Sequence, residues 1–196
     1  KPDWTSKPVP AMDAPRAVNG RLLGVAHAGK RLVAVGQQGV ILTSDDGKAW
    51  KQSPSPVSQM LNRVRFLDEK TGWAVGYDGV ILKTTDAGST WAMQHLSNKT
   101  RPLYDVLFTD ANNGIAVGGY GTYLATGDGG KTWAVQDNPI AALGLHINNL
   151  KKLPDGSLFM AGEKGLLAHS TDAGATWTML KSPYAGSYFG VLPLGG

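Results

Sequence analysis

The sequence predicts an all-β fold, a β-propeller of four-stranded antiparallel blades, from three observations. A motif of the form Thr/Ser-x-Asp-x-Gly-x-x-Trp occurs four times in the 196 residues, and its tryptophans are 41, 42 and 44 residues apart. Short apolar stretches bounded by Gly, Asn and Asp recur in the same order within each repeat. A period in this range corresponds to one propeller blade of four short strands.

Each repeat contains three apolar stretches and a shorter fourth one that starts at the tryptophan. In the second repeat these begin at Leu61, Trp73, Val80 and Trp91. Such stretches are rich in β-branched residues and end at turn residues, which is typical of strands. Gly-x-x-Gly between the second and third stretches predicts a tight hairpin, because Gly adopts positive φ without strain. The expected repeats are approximately 20–57, 58–98, 99–140 and 141–183.

Both ends of the chain resemble partial repeats. Residues 1–19 contain Trp4, which matches the start of a closing fourth strand without a preceding Asp motif. Tyr188 to Leu194 matches the first stretch of a fifth repeat, so residues 184–196 are expected to form an incomplete repeat. The sequence therefore predicts a single, partial propeller of about four to five blades, whose open edges would be free to pair with a second copy.

Composition argues against several functions. The net charge is +4 and the Lys and Arg residues are scattered, so no nucleic-acid arm is expected. There is no Cys, which excludes disulfides and thiolate metal sites. The four His show no metal-ligand spacing, so neither a metal nor a cofactor is expected. No apolar run approaches the ~20 residues that span a bilayer, which argues against direct membrane insertion.

The repeated Asp motif is expected to form a turn between the third and fourth strands. Its Asp would accept backbone hydrogen bonds, its Gly would permit the chain reversal, and its Trp would pack beneath the turn. One Asp in each blade places the carboxylates too far apart to act on one substrate, so no catalytic residue is predicted. The predicted structural residues are Asp45, Gly47, Trp50, Asp86, Gly88, Trp91, Asp128, Gly130, Trp133, Asp172, Gly174 and Trp177.

The first stretches of the repeats contain the candidate partner-binding residues. Aligned on a central apolar residue (Val25, Val64, Val106, Leu150, Val191), they carry Gly24, Arg63, Asp105, Asn149 and Gly190 one position earlier. This register would bring Arg63, Asp105 and Asn149 to one polar mouth. The alternative is an ion pair between Arg63 and Asp105 beside a solvated Asn149. Further candidates on the same strands are Arg65, Tyr104, His146 and Tyr188.

Taken together, these motifs resemble the photosystem II stability/assembly-factor family of seven-bladed propellers, and the Asp motif matches the Asp box, or bacterial neuraminidase repeat. In the second repeat the matching segments are Gly72 to Leu82 and Thr84 to Trp91. In the third repeat they are Leu103 to Val106, Gly114 to Gly121 and Thr126 to Trp133. The resemblance covers essentially the whole chain.

This resemblance implies a non-enzymatic scaffold that binds protein partners and assists the assembly or stability of a membrane-protein complex. Family members in photosynthetic organisms work in the thylakoid lumen through an Arg-rich surface, and bacterial relatives are exported, so the resemblance implies an extracytoplasmic location, thylakoid lumen or periplasm. The chain departs from the Arg-rich pattern, because only Arg63 and Arg65 of its six Arg are close together.

The alternative function is a carbohydrate-binding or sialidase-like propeller, since Asp boxes also occur in sialidases. Those enzymes need an Arg cluster, a Tyr–Glu nucleophile pair and an acid Asp. This chain contains two Glu, Glu69 and Glu163, and both fall at predicted turns. The sequence therefore favours a scaffold over a glycosidase.

Overall fold

The computed structural model describes residues 8–97, 101–137 and 139–192. In these residues, sixteen strands form four separate four-stranded antiparallel sheets, each with its strands in sequence order. This is the up-and-down arrangement of a propeller blade. The predicted all-β fold is therefore confirmed as a partial β-propeller.

The four blades have similar strand lengths. Blade 1 consists of β1 (Leu22–Ala28), β2 (Arg31–Gly36), β3 (Ile41–Ser44) and β4 (Lys51–Ser53). Blade 2 consists of β5 (Leu61–Phe66), β6 (Gly72–Gly76), β7 (Ile81–Thr84) and β8 (Ala92–His95). Blade 3 consists of β9 (Leu103–Phe108), β10 (Gly114–Gly118), β11 (Tyr123–Thr126) and β12 (Ala134–Val135). Blade 4 consists of β13 (Ile147–Lys152), β14 (Leu158–Gly162), β15 (Leu167–Ser170) and β16 (Thr178–Met179).

Helical structure among the described residues is confined to short turns. The α-helix α1 (Pro139–Ala142) follows β12, and a 3₁₀ helix (Ala17–Asn19) precedes β1. No helix in the described part of the chain is long and apolar enough to cross a membrane.

Each predicted Gly-x-x-Gly hairpin contains a turn that the sequence pattern did not show. In blades 1 to 3 the segment between the second and third strands is a three-residue 3₁₀ turn, Gln37–Gly39 in blade 1. Its middle residue is left-handed although it is not Gly, with φ of 55° at Gln38. Gly39 follows at φ +70°. Two consecutive left-handed residues reverse the chain, and the Gly makes the second one possible.

The chain forms two compact units, residues 1–106 and 107–196. The core of the first unit lies between β-sheet faces of blades 1 and 2 and includes Val33, Ile41, Val64 and Leu82. The core of the second unit is formed by blades 3 and 4 and includes Ile115, Val117, Leu150, Leu158 and Met160. Each fully buried aliphatic side chain of this size contributes about 1.5–3 kcal/mol relative to exposure.

The N-terminal segment packs on blade 1. Trp4, the predicted start of a closing strand, lies outside the described residues. In the part that follows, the amide of Ala14 donates to Oε1 of Gln52 (3.0 Å), and Nε2 of Gln52 donates to the carbonyl of Met12 (2.8 Å). The Gln52 side chain on β4 therefore binds this segment through both its amide oxygen and its amide nitrogen.

The C-terminal segment differs from the sequence-based expectation. Residues 188–192 form no strand, and residues 193–196 lie outside the described part. Nδ2 of Asn148 donates to the Tyr188 carbonyl (2.9 Å), and the Val191 amide donates to Oδ1 of Asn149 (3.1 Å). Because these backbone groups bond to side chains of β13, they do not build a strand ladder.

Candidate functional site

Three of the four Asp boxes share one hydrogen-bond arrangement. In the second box, Oδ1 of Asp86 accepts the amide of Thr90 and the hydroxyl of Thr84, each at 2.8 Å. Oδ2 accepts the hydroxyl of Thr90 at 2.6 Å. The same contacts recur around Asp128 and Asp172. The carboxylate thus ties the end of the third strand to the residue before the Trp.

The first box uses a different aspartate from the one that the sequence pattern predicts. The hydroxyl of Ser44 donates to Oδ1 of Asp46 (3.1 Å), and the amides of Lys48 and Ala49 donate to the same oxygen at 2.8 Å. Ser44 and Thr84 occupy equivalent positions in their blades, since Ser44 pairs with Leu32 and Thr84 pairs with Gly72. The assignment of this role to Asp45 is therefore wrong by one residue.

The shift has a physical reason. The second box places Ala87 in the left-handed region (φ 58°) between its Asp and its Gly, whereas the first box has no residue at this point. The shorter loop brings Asp46 to the bonding position and turns Asp45 outward. Asp45 instead accepts Nε of Arg31 at 2.7 Å, while Nη1 of Arg31 donates to the Ser89 hydroxyl at 2.9 Å.

Substitution of Asp46 by Ala is expected to lower the urea midpoint of unfolding clearly more than substitution of Asp45. Asp46 satisfies two backbone amides of the turn, whereas the exposed Asp45 makes an ion pair of the weak surface type. Urea denaturation of both variants under one buffer condition measures the difference. Equal midpoints, or a larger loss for Asp45→Ala, would contradict the structural assignment.

The box tryptophans are buried to different extents. Trp91 is 8% exposed, its Nε1 donates to the Gly88 carbonyl (3.0 Å), and its ring meets Phe66 edge-on. Trp177 makes the equivalent bond to the Gly174 carbonyl at 3.2 Å. Trp50 and Trp133 are half-buried. The tryptophans are thus occupied with the turns and the apolar residues beside them.

Hydrogen bonding lowers the pKa values of the box carboxylates. The Thr176 hydroxyl, the Thr176 amide and the Ser170 hydroxyl lower the pKa of Asp172 to about 2. The Thr132 hydroxyl, the Thr132 amide and the Thr126 hydroxyl hold the pKa of Asp128 well below its usual range. These carboxylates are therefore ionised at neutral pH and act as acceptors only.

Acid is expected to weaken the fold through these boxes. A carboxylate whose folded-state pKa lies below its unfolded value of about 4 stabilises the fold above that pH, and this stabilisation is lost as the pH falls toward the folded-state pKa. The urea midpoint should therefore fall between about pH 4 and pH 2, and less steeply in Asp172→Asn. An equally steep fall of the urea midpoint with pH in the wild type and in Asp172→Asn would contradict this expectation.

The candidate partner-binding residues of the first unit lie around a buried carboxylate. Nε and Nη2 of Arg65, on β5, donate to Oδ1 and Oδ2 of Asp105, on β9, at 2.9 and 2.6 Å. Oδ1 also accepts the Val106 amide at 2.9 Å. Asp105 is 0% exposed, whereas the Arg65 side chain is 25% exposed. The main partner of Asp105 is therefore Arg65, in a bidentate geometry. The predicted ion pair with Arg63 is also present, as a longer contact of 3.6 Å.

Arg63 lies on the same face of β5, two residues before Arg65. Its Nε is 3.6 Å from Oδ1 of Asp105 and has no hydrogen-bond partner among the described residues. Its side chain is 32% exposed. Two guanidinium groups therefore share the one carboxylate of Asp105. Tyr104, the residue before Asp105, is half-buried.

The remaining candidates belong to the second unit. Nε2 of His146 is 3.4 Å from Oε2 of Glu163, and its ring centroid is 4.7 Å from that of Tyr120. Asn149 is 5% exposed, so the expectation that it is solvated is wrong. It accepts the Val191 amide, which gives it a structural contact.

Two asparagines that the sequence analysis did not single out connect the first strand of a blade to the corresponding segment of the next repeat. Nδ2 of Asn62 donates to the Leu103 carbonyl at 2.7 Å, as Asn148 does to the Tyr188 carbonyl. The signal in the sequence is that Asn62 and Asn148 occupy the same position of repeats two and four. No cluster of three or more potential metal ligands occurs in residues 8–97, 101–137 and 139–192.

The family model described as photosynthesis system II assembly factor YCF48 matches residues 87–186, about half of the chain. The chain belongs to this family. A similar curated protein is the photosystem II stability/assembly factor HCF136, chloroplastic, of Cyanidioschyzon merolae (strain NIES-3377 / 10D). It is 45% identical over 47 residues, which is 23% of this chain and 11% of the relative.

Solved structures show the same fold. A structure described as YCF48 bound to D1 peptide has a TM-score of 0.60 at 20% identity and covers 81% of this chain and 53% of its own. The Niastella koreensis GH74 enzyme has a TM-score of 0.60 at 19% identity, with coverage of 80% and 24%. At these identities the likeness shows the fold alone. The chain spans about half the length of that YCF48 chain.

Proposed function

We propose that this chain is a non-enzymatic, protein-binding propeller that assists the assembly or stability of a membrane-protein complex outside the cytoplasm. Membership in the YCF48 family supports the assembly role, since the family model is described as an assembly factor. Within the structure, the supporting observation is the partly exposed side chain of Arg63 beside a carboxylate that Arg65 already occupies.

The geometry suits recognition of a carboxylate on the partner. Asp105 binds Arg65 through both carboxylate oxygens, so its charge is shared and the more distant Arg63 is only partly compensated. A guanidinium binds a carboxylate through two parallel hydrogen bonds, which adds direction to charge attraction. An acidic side chain or a chain terminus of a protein partner would supply that carboxylate, with Tyr104 on the neighbouring strand as a candidate contact.

The D1 peptide named in the YCF48 complex is the probe for this proposal. Fluorescence anisotropy with labelled D1 peptide should show saturable binding, and Arg63→Ala should weaken it at least about tenfold, as loss of an interface arginine commonly does. Lys30→Ala removes one exposed positive charge on the β1–β2 turn and is the matched control, with an expected change below about twofold. No binding by the wild type, or equal losses in both variants, would overturn the proposed site.

The absence of enzyme activity is part of the proposal. The likeness to a GH74 enzyme shows the fold alone, and Glu163, one of the two glutamates, contacts His146. Incubation with fluorogenic glycosides is expected to release no fluorophore. Hydrolysis that scales with protein concentration would favour the carbohydrate-directed alternative.

A further inference from the structure

The second unit contains an open groove between blade 3 and the Asp box of blade 4. Its volume is about 440 Å³. Ile115 and Tyr123 lie at its base, and Asn113, Gln136, Asp137 and Asp172 are among its polar lining residues. Tyr123 is 2% exposed, and its hydroxyl donates to the Gly174 carbonyl at 3.1 Å. The base is therefore fixed and largely apolar, while the rim is polar.

The corresponding position in the first unit is occupied by an arginine. Arg31 and Asn113 are equivalent by strand register. Each directly precedes the residue that pairs with the last residue of the blade's third strand, which is Ser44 in blade 1 and Thr126 in blade 3. Nε of Arg31 binds Oδ1 of Asp45 at 2.7 Å, and Nη1 binds the hydroxyl of Ser89 in the next blade's Asp box at 2.9 Å. Arg31 thus connects blade 1 to blade 2.

The second unit lacks this connection, because three residues with shorter side chains occupy the equivalent positions. Asn113 replaces Arg31, Gly127 stands at the position of Asp45, and Ala175 stands at the position of Ser89. A Cβ added at Gly127 would meet only the Asn113 side chain within 4 Å, at 3.9 Å. The groove is open because the side chains that would fill it are absent, although the backbone of both blades follows the same pattern.

The charge of the groove favours a cation. Asp137 and Asp172 provide carboxylates, and the pKa of Asp172 is lowered to about 2, so that it stays ionised at physiological pH. No Lys or Arg is among the described lining residues. The nearby Lys152 is engaged with the Thr109 carbonyl at 3.2 Å.

We propose that this groove receives an arginine side chain from a protein partner, which supplies from outside the connection that Arg31 makes within the first unit. The aliphatic stem would lie on Ile115 and Tyr123 while the guanidinium meets the carboxylates at the rim. Arginine suits such a site better than lysine, because its planar group is more weakly hydrated and can bind a carboxylate through two hydrogen bonds. The site does not depend on the function proposed for Arg63.

Titration of the ¹⁵N-labelled chain with N-acetyl-arginine amide tests this proposal. The amide signals of Asn113, Gln136 and residues 173–175 should shift saturably, with a Kd of about 1–10 mM, as expected for one side chain. N-acetyl-citrulline amide, which has nearly the same shape without the charge, is the ligand control. Equal shifts with citrulline, or shifts spread over unrelated acidic residues, would overturn the proposal.

Two sets of variants make the test specific. Asp137→Asn should weaken arginine binding several-fold, whereas Asp13→Asn, a like-for-like change at an exposed position of the N-terminal segment, should leave it unchanged. The combination Asn113→Arg, Gly127→Asp and Ala175→Ser rebuilds the first-unit connection and should abolish binding by filling the groove. Undiminished binding in both Asp137→Asn and the filled variant would contradict the site.

Discussion

Substitution of Gly39 by Ala is expected to lower the free energy of unfolding by about 3–5 kcal/mol, because it combines left-handed strain with a backbone overlap. Gly39 is buried and has φ +70°. A Cβ at this position would overlap the carbonyl oxygen of Val57 and lie 3.1 Å from the Cα of Ser58. Backbone atoms cannot rotate away as a side chain can, so the hairpin or the connection to blade 2 must move.

Gly47 provides a matched control for this substitution. Its φ is +72°, nearly the same as that of Gly39, but the nearest atom to an added Cβ is Leu32 Cδ1 at an ordinary 3.6 Å. Gly47→Ala should therefore cost only the conformational part, about 1–2 kcal/mol. Urea denaturation of the two variants measures the difference. Similar losses of stability in the two variants would show that the close approach of the backbone at Gly39 is not the cause of the larger expected loss.

Substitution of Asp105 by Asn is expected to lower the free energy of unfolding by about 3 kcal/mol. Removal of one partner from a buried ion pair leaves the other charge without compensation, which typically costs 3–5 kcal/mol. The lower end applies because the Arg65 and Arg63 side chains are 25% and 32% exposed. Asp13→Asn is the control and should change stability little. An Asp105→Asn variant as stable as the wild type would contradict this role.

A double variant separates the charge from the packing. Asp105→Leu combined with Arg65→Met removes both members of the bidentate pair and keeps their approximate volume. Replacing a buried ion pair in this way is often neutral or stabilising, so the double variant should recover to within about 1 kcal/mol of the wild type. If it remains as destabilised as Asp105→Asn, the loss reflects packing of β9 rather than an unpaired charge.

The blades could be predicted because each repeat determines its own turns through local contacts. The Gly-x-x-Gly turn and the Asp box involve residues at most a few positions apart, so their spacing is visible in the sequence. The first box shows the limit of this approach. A motif aligned on Gly47 and Trp50 selects Asp45, but the hydroxyl of Ser44, placed by its pairing with Leu32, donates to Asp46 instead.

The candidate site was only partly predictable for a related reason. Sequence alignment placed Arg63 and Asp105 at equivalent positions of neighbouring repeats, which suggested that they pair. Arg65, two residues further along the same face of β5, takes the bidentate contact, and Arg63 keeps only the longer one. Which of two arginines on one strand face comes closer to a carboxylate depends on how β5 and β9 pack, and periodicity carries no information about that.

By itself, the sequence determined the repeat, the strand order within a blade and the positions of the turns, because these depend on neighbours along the chain. The tertiary structure decided what each equivalent position contacts. Val25 and Val64 occupy the same place in β1 and β5, paired with Ala34 and Ala74, yet Val25 is 64% exposed and Val64 is 2% exposed. Local pairing is the same in both strands, whereas burial depends on whether another element packs against that face.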